Sequence, residues 1–147
     1  MLRKISMTAL AVGAVCAIAA TAVMAQNDPI AARKAAMKAV GAATGGGAKM
    51  AKGETPFSLD DAKKAFQVYI DTAKAAPALF PDTSKTGGET TAAAKIWEDG
   101  AAFKASFAKW GKDAEDGLAA TKDLASFQTA FGNVTKNCGS CHETFRV

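Results

Sequence analysis

Between Ser58 and Phe145 apolar residues return every three or four positions, the spacing that lines one face of an α-helix. Ala62, Phe66, Tyr69 and Ala73 form the first of these stripes. Ser58, with Asp61 three residues later, resembles a capping box at its start, and Pro77 and Pro81 end it. The stretch "PDTSKTGGET" reads as a loop from its proline, glycine and serine content. Ile96, Gly100, Phe103, Phe107, Trp110 and Ala114 then predict a third helix, and "KDAEDG" weakens the pattern behind it. Asp123 is placed to cap a fourth, where Leu124, Phe127, Phe131 and Val134 alternate in the same way. That count runs on to Cys138, Cys141 and Phe145, so both cysteines continue a core stripe. Upstream, Asp28 before Pro29 pairs an N-cap residue with proline at the first helical position, opening "IAARKAAMKAVGAAT". Gly45, Gly46 and Gly47 each cost about 1 kcal/mol inside a helix, so a helix that continues toward Gly53 has to be held by packing. Four helices with single apolar stripes and short or medium loops predict an all-α, antiparallel four-helix bundle. No strand pattern or internal repeat competes with it.

The first 25 residues follow another rule. Arg3 and Lys4 precede the apolar run "ISMTALAVGAVCAIAATAVMA", which ends in the short side chains that a signal peptidase inspects. Residues 1–25 are therefore expected to be a cleaved secretory signal, leaving a single domain over 26–147 that starts at Gln26 and lies in the periplasm. About 20 apolar residues are also enough to cross a bilayer as an uncleaved anchor, but the small-residue ending favours cleavage and no membrane attachment afterwards. Cys16 would leave with the signal. Of 18 basic and 14 acidic residues, losing Arg3 and Lys4 leaves 16 against 14, a net charge of +2 instead of +4. The remaining charges alternate without a basic block or interleaved aromatic patch, which excludes a nucleic-acid-binding footprint.

What remains is "CGSCH". Cys138 and Cys141 with His142 make the Cys-x-x-Cys-His pattern of c-type haem attachment. Two thiols can add across the two vinyl groups of a haem to give thioethers, and the adjacent imidazole can bind its iron. Positions three and four apart share a helix face, so all three side chains can meet one flat macrocycle. A disulfide would also suit an exported protein. A thioredoxin-like site expects a strand before the motif, whereas these flanks are helical. A structural zinc site wants four ligands, and the chain after export offers two cysteines and one histidine.

With the motif at the end of the last helix, the chain resembles the class II cytochromes c, the cytochrome c′ group, and most closely their low-spin, methionine-ligated c-556 branch. "CGSCHETFR", "ARKAAMK", "AKGE", "PALFP", "SKTGG" and "KIWED" carry the likeness over the whole domain. It implies one covalent haem c per chain, bound to the fourth helix and covered by the first. It matches Arg33 to a position that reaches a haem propionate, Met37 to the residue facing the iron from the distal side, and Arg146 to a position near the proximal His142. Members of the family often pair as homodimers. Because His142 is the only histidine, a second imidazole ligand is impossible, and Met37 and Met50 are the only other candidates in the domain. They stand 13 residues apart, about 220° around a continuous helix. Two functions follow. With His/Met ligation the protein is an electron carrier serving periplasmic redox partners. With five-coordinate iron it binds nitric oxide or carbon monoxide. Catalysis is not expected, since no second histidine or acid/base pair accompanies the motif.

Overall fold

The Asp28 carboxylate accepts a hydrogen bond from the Ala31 N–H at 2.8 Å, and Pro29 follows it, so helix α1 (Pro29–Ala51) begins at the predicted cap. The computed structural model describes residues 28–147; the signal sequence expected over 1–25 lies outside them. Helix α1 runs unbroken through the three glycines, and packing accounts for one of them. A Cβ on Gly47 would overlap the Phe131 ring, whereas a Cβ on Gly45 or Gly46 would meet nothing. Gly53, at φ +74°, makes the turn that follows.

Ser58 accepts from the Asp61 N–H at 3.2 Å and starts α2 (Leu59–Ala75). A reciprocal capping box forms at Asp123 instead, where Ser126 donates its N–H to the carboxylate at 2.8 Å and accepts the Asp123 N–H at 3.0 Å. This fixes the start of α5 (Leu124–Phe145). Two expected boundaries are corrected. The stripe from Ile96 to Ala114 is not one helix, because Asp99 leaves helical geometry (φ −130°, ψ 60°). It ends the single turn α3 (Lys95–Glu98) and caps α4 (Gly100–Ala120) by accepting from the Ala102 N–H at 3.2 Å. "KDAEDG" in turn stays helical. Gly117 lets α4 lie against Phe66, whose ring would be 3.0 Å from a Cβ at that position.

The four long helices form a closed square in which α1 touches α2 and α5, and α4 touches α2 and α5. Among the described residues there is no strand beyond one isolated bridge, and no helix is long and apolar enough to cross a membrane. Phe66, Tyr69, Phe103, Phe107, Trp110, Phe127, Phe131 and Phe145 fill the centre, most of them edge-to-face or tilted at 5 to 6 Å. Such pairs add about 0.5–1.5 kcal/mol each beyond the area they bury.

The glycines of α1 should separate in a denaturation series. Gly47→Ala is expected to destabilise the protein by about 1–3 kcal/mol through overpacking against Phe131. Gly45→Ala should stabilise it by about 0.5–1 kcal/mol through helix propensity. Urea midpoints of the two variants check both signs.

Candidate functional site

Two contacts fix how α1 and α5 lie against each other. Gly47 packs on Phe131, and Gln128 donates its side-chain N–H to the Ala51 carbonyl at 2.6 Å. The helices are antiparallel, so each step toward the start of α1 meets a step toward the end of α5. Ten residues back from Gly47 is Met37, and ten residues on from Phe131 is Cys141, with His142 next. Met37, Cys141 and His142 thus share one level of the bundle.

On α5, Cys138 and Cys141 are half-buried and both are free thiols, so the disulfide alternative is not formed. Burial pushes both thiols above their ordinary pKa, with the neighbouring Cys138 adding to the effect on Cys141. His142 is itself exposed at the surface of α5; the desolvation it does meet, and then the Arg146 cation, hold it below its usual value, which favours the neutral imidazole that an iron binds. No group of three potential metal-binding side chains forms among the described residues, so a structural zinc site lacks its ligands. Beyond His142 the chain is tied down. Arg146 N–H donates to the His142 carbonyl at 3.2 Å, Ala93 N–H to the Phe145 carbonyl at 3.0 Å and Val147 N–H to the Thr91 carbonyl at 2.9 Å. The Arg146 Nε donates to Thr91 Oγ1 at 3.3 Å, so this side chain turns to the loop.

On α1, Met37 is half-buried and packs against the core, while Met50 is fully inside it at 7% exposure. About 20 Å of helix separates them, and Met50 lies at the far end from the cysteines. Arg33, one turn before Met37, is 4% exposed. It donates to Ser84 Oγ at 2.9 Å, the Ser84 carbonyl at 3.2 Å, Thr90 Oγ1 at 2.7 Å and the Leu79 carbonyl at 3.4 Å. Its guanidinium also lies 4.8 Å over the Phe80 ring. Four of its five N–H donors are occupied, which leaves Nε. Nothing in the sequence pattern pointed to Ser84, Thr90 or Thr91, polar residues of a loop with no periodicity.

The residues fit a haem. The donor set is two thiols and an imidazole on one helix face. Arg33 is a buried cation that forms no ion pair among the described residues, an arrangement that a carboxylate such as a propionate would balance. Trp110 Nε1 is the one described buried side-chain polar atom without a partner. Its ring lies 5.5 Å from that of Tyr69.

Tyr69, the only tyrosine in the chain, shares a 2.9 Å hydrogen bond with Thr44. Burial pushes its pKa up to about 12, partly countered by that bond. Ultraviolet difference titration of phenolate should therefore give one transition near pH 12 in the folded protein and near the ordinary value of about 10 in urea. Because the folded state holds this proton more tightly, the stabilisation is complete below pH ~10 and is lost as the pH rises toward 12.

Comparison with known proteins gives the frame for this site. The sequence model of the family Cytochrome C' matches residues 28–146. A cytochrome c′ of Rhodopseudomonas palustris is 46% identical over 124 residues, covering 84% of this chain and 85% of that one. A cytochrome c-556 of Agrobacterium tumefaciens (strain B2A) is 41% identical over 116 residues, covering 78% and 93%. The solved structure of cytochrome c′ from R. palustris superposes with a TM-score of 0.79 at 46% identity, covering 82% of this chain and 96% of that one. The chain belongs to the cytochrome c′ family, four-helix-bundle c-type cytochromes that carry one covalent haem c per chain and serve electron transfer or ligand binding.

Proposed function

We propose that this cytochrome is a periplasmic electron carrier, with its haem attached through Cys138 and Cys141 and its iron held between His142 and Met37. The observation that carries the reading is the α1–α5 register, which puts Met37 level with His142 on the neighbouring helix. Relatives named cytochrome c′ and cytochrome c-556 both match, so the ligation is argued from Met37 itself. Met50 serves as the internal contrast. It is buried near the Gly47–Phe131 contact and fills core space, the ordinary role of a methionine.

The bound haem supplies a one-electron iron couple, and a His/Met pair raises its potential. The protein's part is to hold and to shield. The half-buried thiols anchor the macrocycle edge on α5. The neutral imidazole of His142 gives the proximal nitrogen. The thioether of Met37 offers a sulfur that needs no proton removed before it can coordinate. The Arg33 cation, through its free Nε, is suited to offset a propionate charge. Packed aromatics from Phe103 to Trp110 keep water from the interior face. Because His142 and Met37 lie on two packed helices, holding the group would require little movement of the chain, which would suit one-electron exchange with redox proteins of the same compartment.

Absorption spectra of the ferric and ferrous protein, with and without carbon monoxide, test the assignment. Wild type should be low-spin with a weak far-red band of sulfur-to-iron charge transfer. Met37→Leu should be high-spin, bind carbon monoxide readily and have a lower reduction potential. Met50→Leu, a swap of similar volume costing less than about 1.5 kcal/mol, should change none of these. A high-spin wild type would make gas binding the function. Acid acetone should leave haem on the wild type, and Cys141→Ala should retain a single thioether or mature poorly.

Export is proposed from the signal-like residues 1–25, with cleavage after Ala25. The intact mass of the secreted holoprotein should correspond to residues 26–147 plus one haem. A mass that includes Cys16 would refute cleavage.

A further inference from the structure

Segment 79–93, between α2 and α3, touches both sides of the site. Residues 79–90 of it are held by α1, where Arg33 donates to the Leu79 carbonyl, to the hydroxyl and carbonyl of Ser84, and to Thr90 Oγ1. Ser84 is itself 2% exposed, and its hydroxyl donates to the Pro81 carbonyl at 2.9 Å, so the Arg33 contact is rigid from both sides. Lys34 adds a bond to the Glu89 carbonyl at 3.3 Å. Residues 91–93 are held by the tail of α5. Ala92 forms an antiparallel bridge with Arg146, flanked by the bonds from Ala93 to Phe145 and from Val147 to Thr91. Thr90 and Thr91 are where these two parts meet. Thr90 Oγ1 accepts from Arg33 at 2.7 Å and from the Ala92 N–H at 3.1 Å, while Thr91 Oγ1 accepts from Arg146 at 3.3 Å. Adjacent hydroxyls thus bond to the helix that carries Met37 and to the chain just past His142.

We propose that Thr90 and Thr91 are positioning residues: they strap α1 to the end of α5 and so set the gap between the helix faces that carry the two axial side chains. The inference rests on the assignment of Met37 and His142 to opposite sides of the iron. The level of the strap supports it. Fourteen residues back from Gly47 is Arg33, and fourteen on from Phe131 is Phe145, so the strap crosses one helical turn beyond Met37 and His142. At that distance a loosened strap lets the start of α1 swing out while the Gly47–Phe131 contact holds the rest. The bonds involved are charge-assisted, and a charged donor left without its acceptor is among the costlier losses in a folded protein.

The test uses the ferrous holoprotein and carbon monoxide as the probe of distal access. Thr90→Val keeps the shape of the side chain and removes the acceptor. It should raise the carbon monoxide association rate about tenfold over wild type, the ratio that ~1.4 kcal/mol of easier opening produces. Thr90→Ser restores the acceptor and should return the wild-type rate. Thr91→Val is exposed and keeps its backbone bonds, so it folds in any case and should raise the rate by a smaller factor of about three. Asp123→Ala removes the cap at the far end of α5 and should lower stability without moving the rate. Wild-type rates in both valine variants overturn the strap, and if Thr90→Val yields no holoprotein, Thr91→Val decides alone. Spectra of the same wild-type sample report the Met37 assignment separately. A low-spin wild type with unmoved valine variants refutes the strap only. A high-spin wild type refutes Met37 ligation, and faster association in the variants then still upholds the strap as the control of distal access.

Discussion

The close approach of α1 to α5 at Gly47 is the constraint on which the rest of this molecule depends. With no side chain at that position, the Phe131 ring can lie against the α1 backbone, and the two helices have no freedom to slide past one another. A slip by one turn would displace every pairing below by about 5.4 Å. Met37 would then stand level with Phe145 or, slipped the other way, with Asn137, and no longer with His142. A packing contact at one end of the bundle thus sets which residues of α1 and α5 stand level at the other end, through the stiffness of two helices of more than 20 residues.

Below that contact the interior changes character. In the upper core the rings of Phe57, Phe66 and Phe131 all pack on Phe127. Toward the other end come two thiols, an unpaired indole N–H and a buried guanidinium. Groups of that kind are expensive to bury in an apolar interior unless something answers them. At the other end the buried polar group among the described residues is Thr121, whose hydroxyl is answered by the Gly117 carbonyl at 2.8 Å. The Arg33 cation is met by four neutral acceptors and a ring face, which occupies all its donors but Nε and places no carboxylate in contact with it.

Much of this was legible in the sequence because it is local. The alternation of three and four from Phe127 to Phe145 located α5 and put Cys138 and Cys141 on its inner face, and the cap residues Asp28, Ser58 and Asp123 each start a helix. The misreadings fall where local signals compete with distant partners. Ile96 and Phe103 keep one stripe across Asp99, so periodicity cannot see that the aspartate turns the chain and caps the next helix. "KDAEDG" looks like an ending until Phe66, about 50 residues away, is known to need the space at Gly117. Arg33 was visible only by likeness to a family, because its partners Ser84 and Thr90 lie in a loop without pattern. Ser126 in the capping box was equally hidden, since serine at that position carries less signal than glutamate.

The separation of partners along the chain has a kinetic side. Only Thr121–Asp123 join α4 to α5, so these two helices can pair almost as soon as they form. The Arg33 bonds span 46 to 57 residues, and the Gln128–Ala51 bond spans 77. Loop-closure entropy grows with such spans, and contacts between distant residues slow the search for the native state. Residues 52–58 join α1 to α2 just as directly, so each hairpin can pair early and the meeting of the two hairpins is the long-range step, before which α5 is covered by α4 alone. The arrangement that half-buries the thiols in the finished protein leaves them more open until the two hairpins meet.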